Sequence, residues 1–271
     1  MKFLILSRIA ELYSTRRLVE EIGRANIEGI VENPDNSFEA SARSCALVVP
    51  RLGNYRYEEA MARLTAFAQA AAGVRILNEP SVFHRARHKR LCLEALTDLP
   101  QPQMRAAADV LPLVVKDCLS SKGEGVFLCR TSEELASCLD LLNGREILFQ
   151  EFIAESAGRD VRALVIGDRI VAAIERRSAD RELEFRSNLA LGGSATMTEL
   201  TSAERELCLA SIRLLGLDYA GVDFVRSSRG PLLLEVNPCP GFEGIEKCTG
   251  VNVAREVVQY AQSLFGADFK R

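Results

Sequence analysis

The chain has 271 residues, enough for one large domain or two small ones, and it is 48% hydrophobic and 26% charged, the balance of a globular protein with a sizeable core. A formal net charge of −3 supplies no global basic field to draw it onto nucleic acid, and no apolar run approaches the roughly 20 residues that span a bilayer. The opening "MKFLILSRIAELYS" is interrupted by Arg8 and Glu11 and lacks a small-residue cleavage site, so it reads as the first β-strand of a cytoplasmic protein, not as a signal peptide.

In chain order, "KFLILS" is a strand and "STRRLVEEIGRAN" a helix with Ser14 as its N-cap. "CALVVPR" is a second apolar strand, "YEEAMARLTAFAQAAA" an Ala-rich helix and "VRILNEP" a third strand ending at Pro80. This alternation predicts a small parallel α/β domain over residues 1–85. "HRARHKRLCLEAL" reads as one basic helix, closed by the Pro-rich "LPQPQM". The texture then changes. "LPLVVK", "EGVFLC", "REILFQEFI" and "DVRALVIGDRIVAAIERR" are strands, the last run folded at the Gly167-Asp168 turn. Thr201 and Glu204 form a capping box at the head of "TSAERELCLASIRLLG", a helix. "YAGVDFVRSSRGPLLLEVN" is a β-hairpin and "NVAREVVQYAQSLF" the last helix. The fold class is α/β in front and mixed α+β behind.

The eight cysteines, Cys45, Cys92, Cys118, Cys129, Cys138, Cys208, Cys239 and Cys248, include no CxxC pair, and only two histidines are present to complete a zinc site. Most sit in apolar periodic segments, where a free thiol behaves as a small hydrophobe. Reduced, mostly buried thiols are expected.

The chemistry concentrates in the hairpin. Residues two apart on a strand share a face, so Glu235 and Asn237 project together, and the turn at "RSSRG" brings Asp223 level with Glu235. Two carboxylates left unpaired there would repel, and a hard cation such as Mg²⁺, which takes few protein ligands when phosphates supply the rest, relieves that. The alternative is a solvated hairpin whose acids pair with Arg226 or Arg229. Upstream, Lys116 ends an apolar strand ahead of a Ser-Ser-Lys-Gly-Glu-Gly loop, in which Ser121, Lys122 and Gly123 could cradle phosphates. The loop is neither GxxxxGK[ST] nor GxGxxG, and a strand follows it; a P-loop and a dinucleotide fingerprint are both excluded.

These motifs resemble the ATP-grasp ligases and, within them, the RimK-like L-glutamate ligases. The resemblance is carried by "LYSTRRL", "VVPRLG", "NEPSVFHRARHK", "LPLVVK…GEGV", "QEFIAESAGRDVRALVIGDRIVAAIERR", "FRSNLALGG", "AGVDFVRSSRGPLLLEVN" and "PGFEGIEKCTGVNVA", and is densest from Gln150 to Gly250. It implies a pre-ATP-grasp domain at 1–85, a small lid subdomain at 86–150 and a C-terminal ATP-grasp subdomain at 151–271. It implies ATP and two Mg²⁺ ions, with Mn²⁺ as a stand-in. Lys89 and Lys116 correspond to the phosphate lysines, Glu151, Phe152 and Ile153 to the hinge that hydrogen-bonds adenine, and Asp160 to the acid on the ribose. Arg186, Ser187 and Asn188 match the family's "RSN", placed against the phosphates and the reacting acyl group. Asp223, Glu235 and Asn237 match the magnesium ligands, Glu235 bridging the two ions. Arg177 and Arg162 are candidate clamps for the substrate carboxylate or the oxyanion; either could instead pair with Glu175 or Asp180.

The implied reaction activates a substrate carboxylate as an acyl phosphate, which an amine then captures as an amide. The expected donor is L-glutamate and the expected acceptor a peptide or protein C-terminus, with no nucleic acid or membrane partner; a homo-oligomer is left open. Three positions depart from the pattern: a short stretch before "CALVVPRLG", the Ser-Ser-Lys loop where relatives tend to read Gly-Thr-Gln, and "NPCPGFEGIEK" where Asn-x-Ser-Pro-Gly-Leu is usual. Other readings are a ligase joining an amino acid to a small-molecule or carrier-protein acceptor, and a non-catalytic nucleotide-binding protein. An oxidoreductase is disfavoured because no Gly-rich fingerprint follows "KFLILS".

Overall fold

A computed structural model describes residues 1–71, 73–121, 123–180, 184–187 and 192–266. The first sheet is wholly parallel, in the order β2-β1-β3-β4, from β1 (Lys2–Leu6), β2 (Glu28–Glu32), β3 (Leu47–Pro50) and β4 (Arg75–Ile76). The crossover helices α1 (Tyr13–Arg24), α2 (Glu39–Arg43) and α3 (Tyr57–Ala70) connect it. Leu4, Leu6 and Val48 face one core with Phe38, Leu64 and Phe83, while Phe3, Ile5 and Val49 face another. Strands buried on both faces read as continuous apolar runs, the texture of "KFLILS" and "CALVVP".

Ser14 does not cap α1. The helix begins one residue earlier, and the buried Ser14 hydroxyl accepts a hydrogen bond from Phe242 N at 3.1 Å, a partner 228 residues away. The basic helix is also corrected. It is broken at His88, whose backbone is extended, into α4 (Pro80–Arg87) and α5 (Lys89–Ala95). The break lets Lys89 N bond Cys118 O at 2.9 Å, which fixes α5 against the strand that carries Lys116.

The second sheet, order β5-β8-β6-β7, is antiparallel: β5 (Met104–Arg105), β6 (Leu113–Asp117), β7 (Val126–Cys129) and β8 (Ile147–Glu151). Its covering helix α6 (Ser132–Leu141) is an element the sequence expectations omit; Thr131 caps it by accepting from Glu134 N. The third sheet, order β11-β10-β9-β12-β13, comprises β9 (Arg159–Ile166), β10 (Arg169–Arg177), β11 (Ser194–Met197), β12 (Tyr219–Ser227) and β13 (Gly230–Asn237). The turn at Gly167-Asp168 joins β9 to β10, and β12 and β13 form the expected hairpin. Helix α7 (Ser202–Leu215) starts with the capping box of Thr201 and Glu204 and packs Leu207, Cys208 and Ile212 under the sheet.

Helices α8 (Glu243–Thr249) and α9 (Val253–Ser263) close the chain. α9 packs Val253, Val257 and Val258 into the core that also holds Phe3, Leu18 and Leu164, so the C-terminal helix is shared by the first and third sheets. All eight cysteines are free and six are buried. No helix among the described residues is long and apolar enough to cross a membrane.

One side chain joins the sheets by hydrogen bonds. Asn78 is buried; its Nδ2 donates to Tyr219 O at 2.8 Å and Pro238 O at 2.9 Å, and its Oδ1 accepts from Asp218 N at 2.6 Å and Tyr219 N at 3.1 Å. Asn78→Ala strands these buried backbone groups and should destabilise the protein by about 3 kcal/mol. Chemical denaturation measures this, and an unchanged midpoint would show that the joint is not held there.

Candidate active site

A cleft lies between the second and third sheets and is lined by residues of both. Each wall follows from strand alternation. Val114 and Lys116 are two apart on β6 and both line it; across the cleft, β9, β10, β12 and β13 contribute Asp160, Arg176, Asp223, Val225 and Glu235. One end is apolar, with Val114, Val126, Ile153, Val225 and Leu234 around the edge-to-face pair Phe152 and Phe185, whose centroids are 6.1 Å apart. The other end is charged.

The charged end is set by register. Arg176 on β10 lies opposite Asp160 on β9, Arg162 two residues further along β9 lies opposite Asp223 on β12, and Asp223 lies opposite Glu235 on β13. A bulge after Asp223 skips Leu234, and Asn237 falls opposite Gly221. The five charged side chains share one face of the sheet. Arg176, 3% exposed, binds Asp160 through two bonds of 2.7 and 2.5 Å and reaches Asp223 Oδ2 at 2.8 Å. Arg162 takes both oxygens of Asp223, at 2.7 and 2.5 Å, and stands 3.7 Å from Glu235.

Burial alone would raise the Asp223 pKa, but Arg162 and Arg176 overcome it and hold the carboxyl well below the usual range. Asp223 is therefore an anion at every working pH. The alternative pairing of the hairpin acids is not found: Arg226 binds Glu204 and Glu175, and Arg229 binds Glu151.

The opposite wall supplies the cations. Lys116 is 8% exposed, and its ammonium has no hydrogen-bond or ion-pair partner among the described residues. Burial pulls its pKa down to about 8, against the attraction of Glu235. A desolvated ammonium with all its donors free calls for an anion. Lys89 is differently placed. It lines the cleft, but its Nζ donates to Asp117 O and Ser120 Oγ, both at 3.1 Å, and to Ser120 O, so it ties down the base of the Ser-Ser-Lys loop. Burial lowers its pKa as well, with Glu235 and Asp117 opposing.

The loop returns tightly onto β6. Asp117 accepts from Leu119 N and Arg145, and a Cβ on Gly125 (φ +65°) would sit 2.9 Å from Asp117 Cβ, so only glycine fits. Arg186 joins the loop to the far wall: it binds Glu184 and donates to Gly123 O at 2.6 Å.

Most sequence-predicted residues converge here. Lys89, Lys116, Ser121, Gly123, Glu151, Phe152, Ile153, Asp160, Arg186, Ser187, Asp223 and Glu235 all line the cleft. Asn237 shares the face of Glu235, and its Oδ1 accepts from Cys239 N at 2.9 Å, leaving a second lone pair free. The Glu151 carboxylate is turned away, to Arg229 and Gln103 N.

Arg177 is a correction. Alternation along β10 aims Arg176 inward and Arg177 outward; Arg177 is about half exposed and bonds Glu175 at 2.6 Å. Lys122 and Asn188 lie outside the described residues. Missing from the expected set were Gln150, Phe185 and the apolar wall. Val114 is signalled by its spacing from Lys116, whereas the pairing of Phe185 with Phe152 has no local signature.

The donor set of two carboxylates and an amide oxygen fits a hard divalent ion, and the free Lys116 ammonium fits a phosphate beside it. Both fit this cleft.

A family model described as a RimK-like ATP-grasp domain matches residues 102–261. The chain is 38% identical to a probable alpha-L-glutamate ligase of Citrobacter koseri, over 97% of this chain and 96% of that protein. It is equally 38% identical, with the same coverage, to a ribosomal protein bS6--L-glutamate ligase of Escherichia fergusonii. In fold it is similar to the ATP-grasp ligase PsnB, solved with a phosphomimetic variant of its minimal precursor, Mg and ADP; the TM-score is 0.70 at 19% identity, over 96% of each chain.

Lys116 gives this site a pH signature. Below about 8 its ammonium is charged before any ligand arrives; above that the free protein holds it neutral. An arriving phosphate raises the pKa again, so nucleotide binding above about pH 8 should take up a proton and weaken as pH rises. Calorimetry at pH 9 (about one unit higher) in two buffers of different ionisation enthalpy reads this uptake. Lys116→Met should abolish it, and equal uptake in both proteins would reject Lys116 as the phosphate partner.

Proposed function

The chain belongs to the RimK-like ATP-grasp family, and from that premise we propose that it adds L-glutamate to the C-terminal carboxylate of a peptide or protein. The family fixes the reaction class: an ATP-dependent, ADP-forming carboxylate–amine ligase. The names of its relatives support glutamate and a protein acceptor. The observation that carries the reading is the level pair Asp223 and Glu235 facing Lys116, unpartnered among the described residues, across one cleft.

In this reading adenine enters the apolar end against Phe152 and Ile153, Asp160 serves the ribose, and the phosphates run toward Lys116 and Ser121. Asp223, Glu235 and Asn237 would hold the two Mg²⁺ ions, Glu235 serving both, and Mn²⁺ would substitute for them. The ion supplies neutralisation of phosphate charge and electrophilic activation of the γ-phosphorus. An acceptor carboxylate oxygen attacks that phosphorus and ADP leaves, giving an acyl phosphate. The glutamate amine attacks the acyl carbon, phosphate leaves, and an amide remains after loss of the amine proton.

The protein's own contribution is positioning and charge. Lys116 neutralises phosphate oxygens from a dry site. Arg186, held by Glu184 and Gly123 O, is set to follow the loop over the reacting groups. Arg162 has a double use. It is the counter-charge of Asp223, and with a metal at Asp223 its guanidinium would be free to serve the acyl group.

The reading divides the chain into a front domain (1–85) that shapes the acceptor entrance, a lid (86–150) and a nucleotide- and metal-holding part (151–271). Such an enzyme draws on the ATP pool of the cytoplasm and works there.

Incubation with ATP, Mg²⁺, glutamate and a panel of peptides should yield mass increments of one or more glutamyl residues. Phosphate release stimulated by neutral or basic amino acids, and never by glutamate, rejects the donor. Glu235→Gln removes one charge and little volume; it should abolish amide formation while leaving the circular dichroism spectrum unchanged. Near-normal turnover of that variant would remove Glu235 from the metal site.

A further inference from the structure

Three motifs from distant parts of the sequence, "LYSTRRL", "VVPRLG" and "PCPGFEG", contribute no lining residue to the nucleotide cleft. They meet at one loop. Ser14 accepts from Phe242 N, and Arg51, which follows β3, donates from Nη1 to Pro240 O at 3.0 Å and lies over the Phe242 ring at 5.9 Å. This loop, residues 239–242, begins two residues after Asn237.

Arg51 is a half-buried cation with no counter-charge among the described residues. Among the described residues no carboxylate pairs with it, its Nε is buried without a hydrogen-bond partner, and its Nη2 has no acceptor. Beside it stands the buried Tyr219 hydroxyl, a neutral group close enough to interact with the guanidinium, and the Cys239 side chain lies near both. The other arginines of this face are matched, Arg162 and Arg176 to Asp223 and Asp160. A half-buried guanidinium whose neighbours, the Pro240 carbonyl and the Tyr219 hydroxyl, are neutral lacks the anion that would offset its burial. The residue is not sealed off: Arg51 is partly exposed, and Gly53, two positions on, has open space around it.

The position is next to the reacting groups. A Cβ built on Gly221, the partner of Asn237, would lie 3.3 Å from Pro240 Cβ and 3.6 Å from Arg162 Nε. Pro240 is thus wedged between Arg51 and the arginine that holds Asp223.

We propose that Arg51 and the 239–242 loop form a carboxylate subsite for the amine-donating amino acid. This rests on the ligase reading. In the amide-forming step the acceptor's carboxylate is consumed as the acyl phosphate, whereas every carboxylate of the amine donor stays an anion and needs a cation outside the phosphate site. Arg51 supplies one, with a planar fork that orients the donor and so aims its amine.

The test uses the full chain with Arg51→Lys, which keeps the charge and loses the fork, and Arg51→Gln. Both should raise the KM for glutamate, by about tenfold or more in Arg51→Gln and less in Arg51→Lys, with the KM for ATP within about twofold of the parent. A rise in the acceptor's KM in place of glutamate's would assign Arg51 to the acceptor and overturn the proposal. So would an equal loss for all three substrates with a lowered thermal midpoint, which marks a structural role. If Arg51→Gln does not fold, Arg51→Lys decides. If the parent protein releases no ADP with glutamate, the ligase reading fails by itself. Calorimetric titration of glutamate into parent and Arg51→Lys protein then still tests the subsite: weaker binding in the variant supports it, and equal binding or none in either protein overturns it.

Discussion

Arg176, closed between Asp160 and Asp223, is the interaction on which the rest of the cleft depends. A guanidinium at 3% exposure is tolerable only while both carboxylates stay in place; losing one partner of such a buried pair costs about 3–5 kcal/mol. The pairings lock β10 to β9 and β9 to β12, and the hairpin then sets Glu235 level with Asp223. The reverse faces of the same strands carry Val161, Ala163, Val165, Val222 and Phe224 into the core over α7. A slip of one residue would put charges into that core, so the apolar face and the ionic face enforce one register.

The ionic face also stores its own counter-charge. Two arginines satisfy Asp223, while Glu235 is only approached by Arg162 at 3.7 Å. A cation held as proposed above would therefore not meet two bare, repelling acids. It would exchange with a guanidinium that the proposed chemistry can use, coupling metal binding to arrangement of the acyl site. Lys116 works in the opposite sense: with no partner of its own among the described residues, it is held at a raised energy that an anion would relieve.

Much of this was legible in the sequence because it rests on period two. Asp160-x-Arg162, Glu235-x-Asn237 and Val114-x-Lys116 each announce a shared face, and the short "RSSRG" turn fixes which residues of the hairpin are level. The capping box at Thr201 and Glu204 and the turn at Gly167-Asp168 are local signals, and they hold. The misreadings have long-range causes. "IERR" carries no alternation to say which arginine faces inward, and only the pairing of Arg176 with Asp160 decides it. Ser14 looks like a cap until Phe242 N, far along the chain, claims its hydroxyl. The helix break at His88 follows from the need of Lys89 N to meet Cys118 O. The role of the residues around Arg51 is likewise invisible locally, since three separate segments build it.

The exchange at Asp223 is the centre of this account, and a crystal structure of the protein with Mn²⁺ and a non-hydrolysable ATP analogue tests it most directly. The account predicts anomalous density within about 2.0–2.4 Å of oxygens from Asp223, Glu235 and Asn237, a phosphate oxygen on Lys116 Nζ, and Arg162 withdrawn from at least one Asp223 oxygen. A bound nucleotide with its ion elsewhere, and with Arg162 still gripping both oxygens of Asp223, would contradict it.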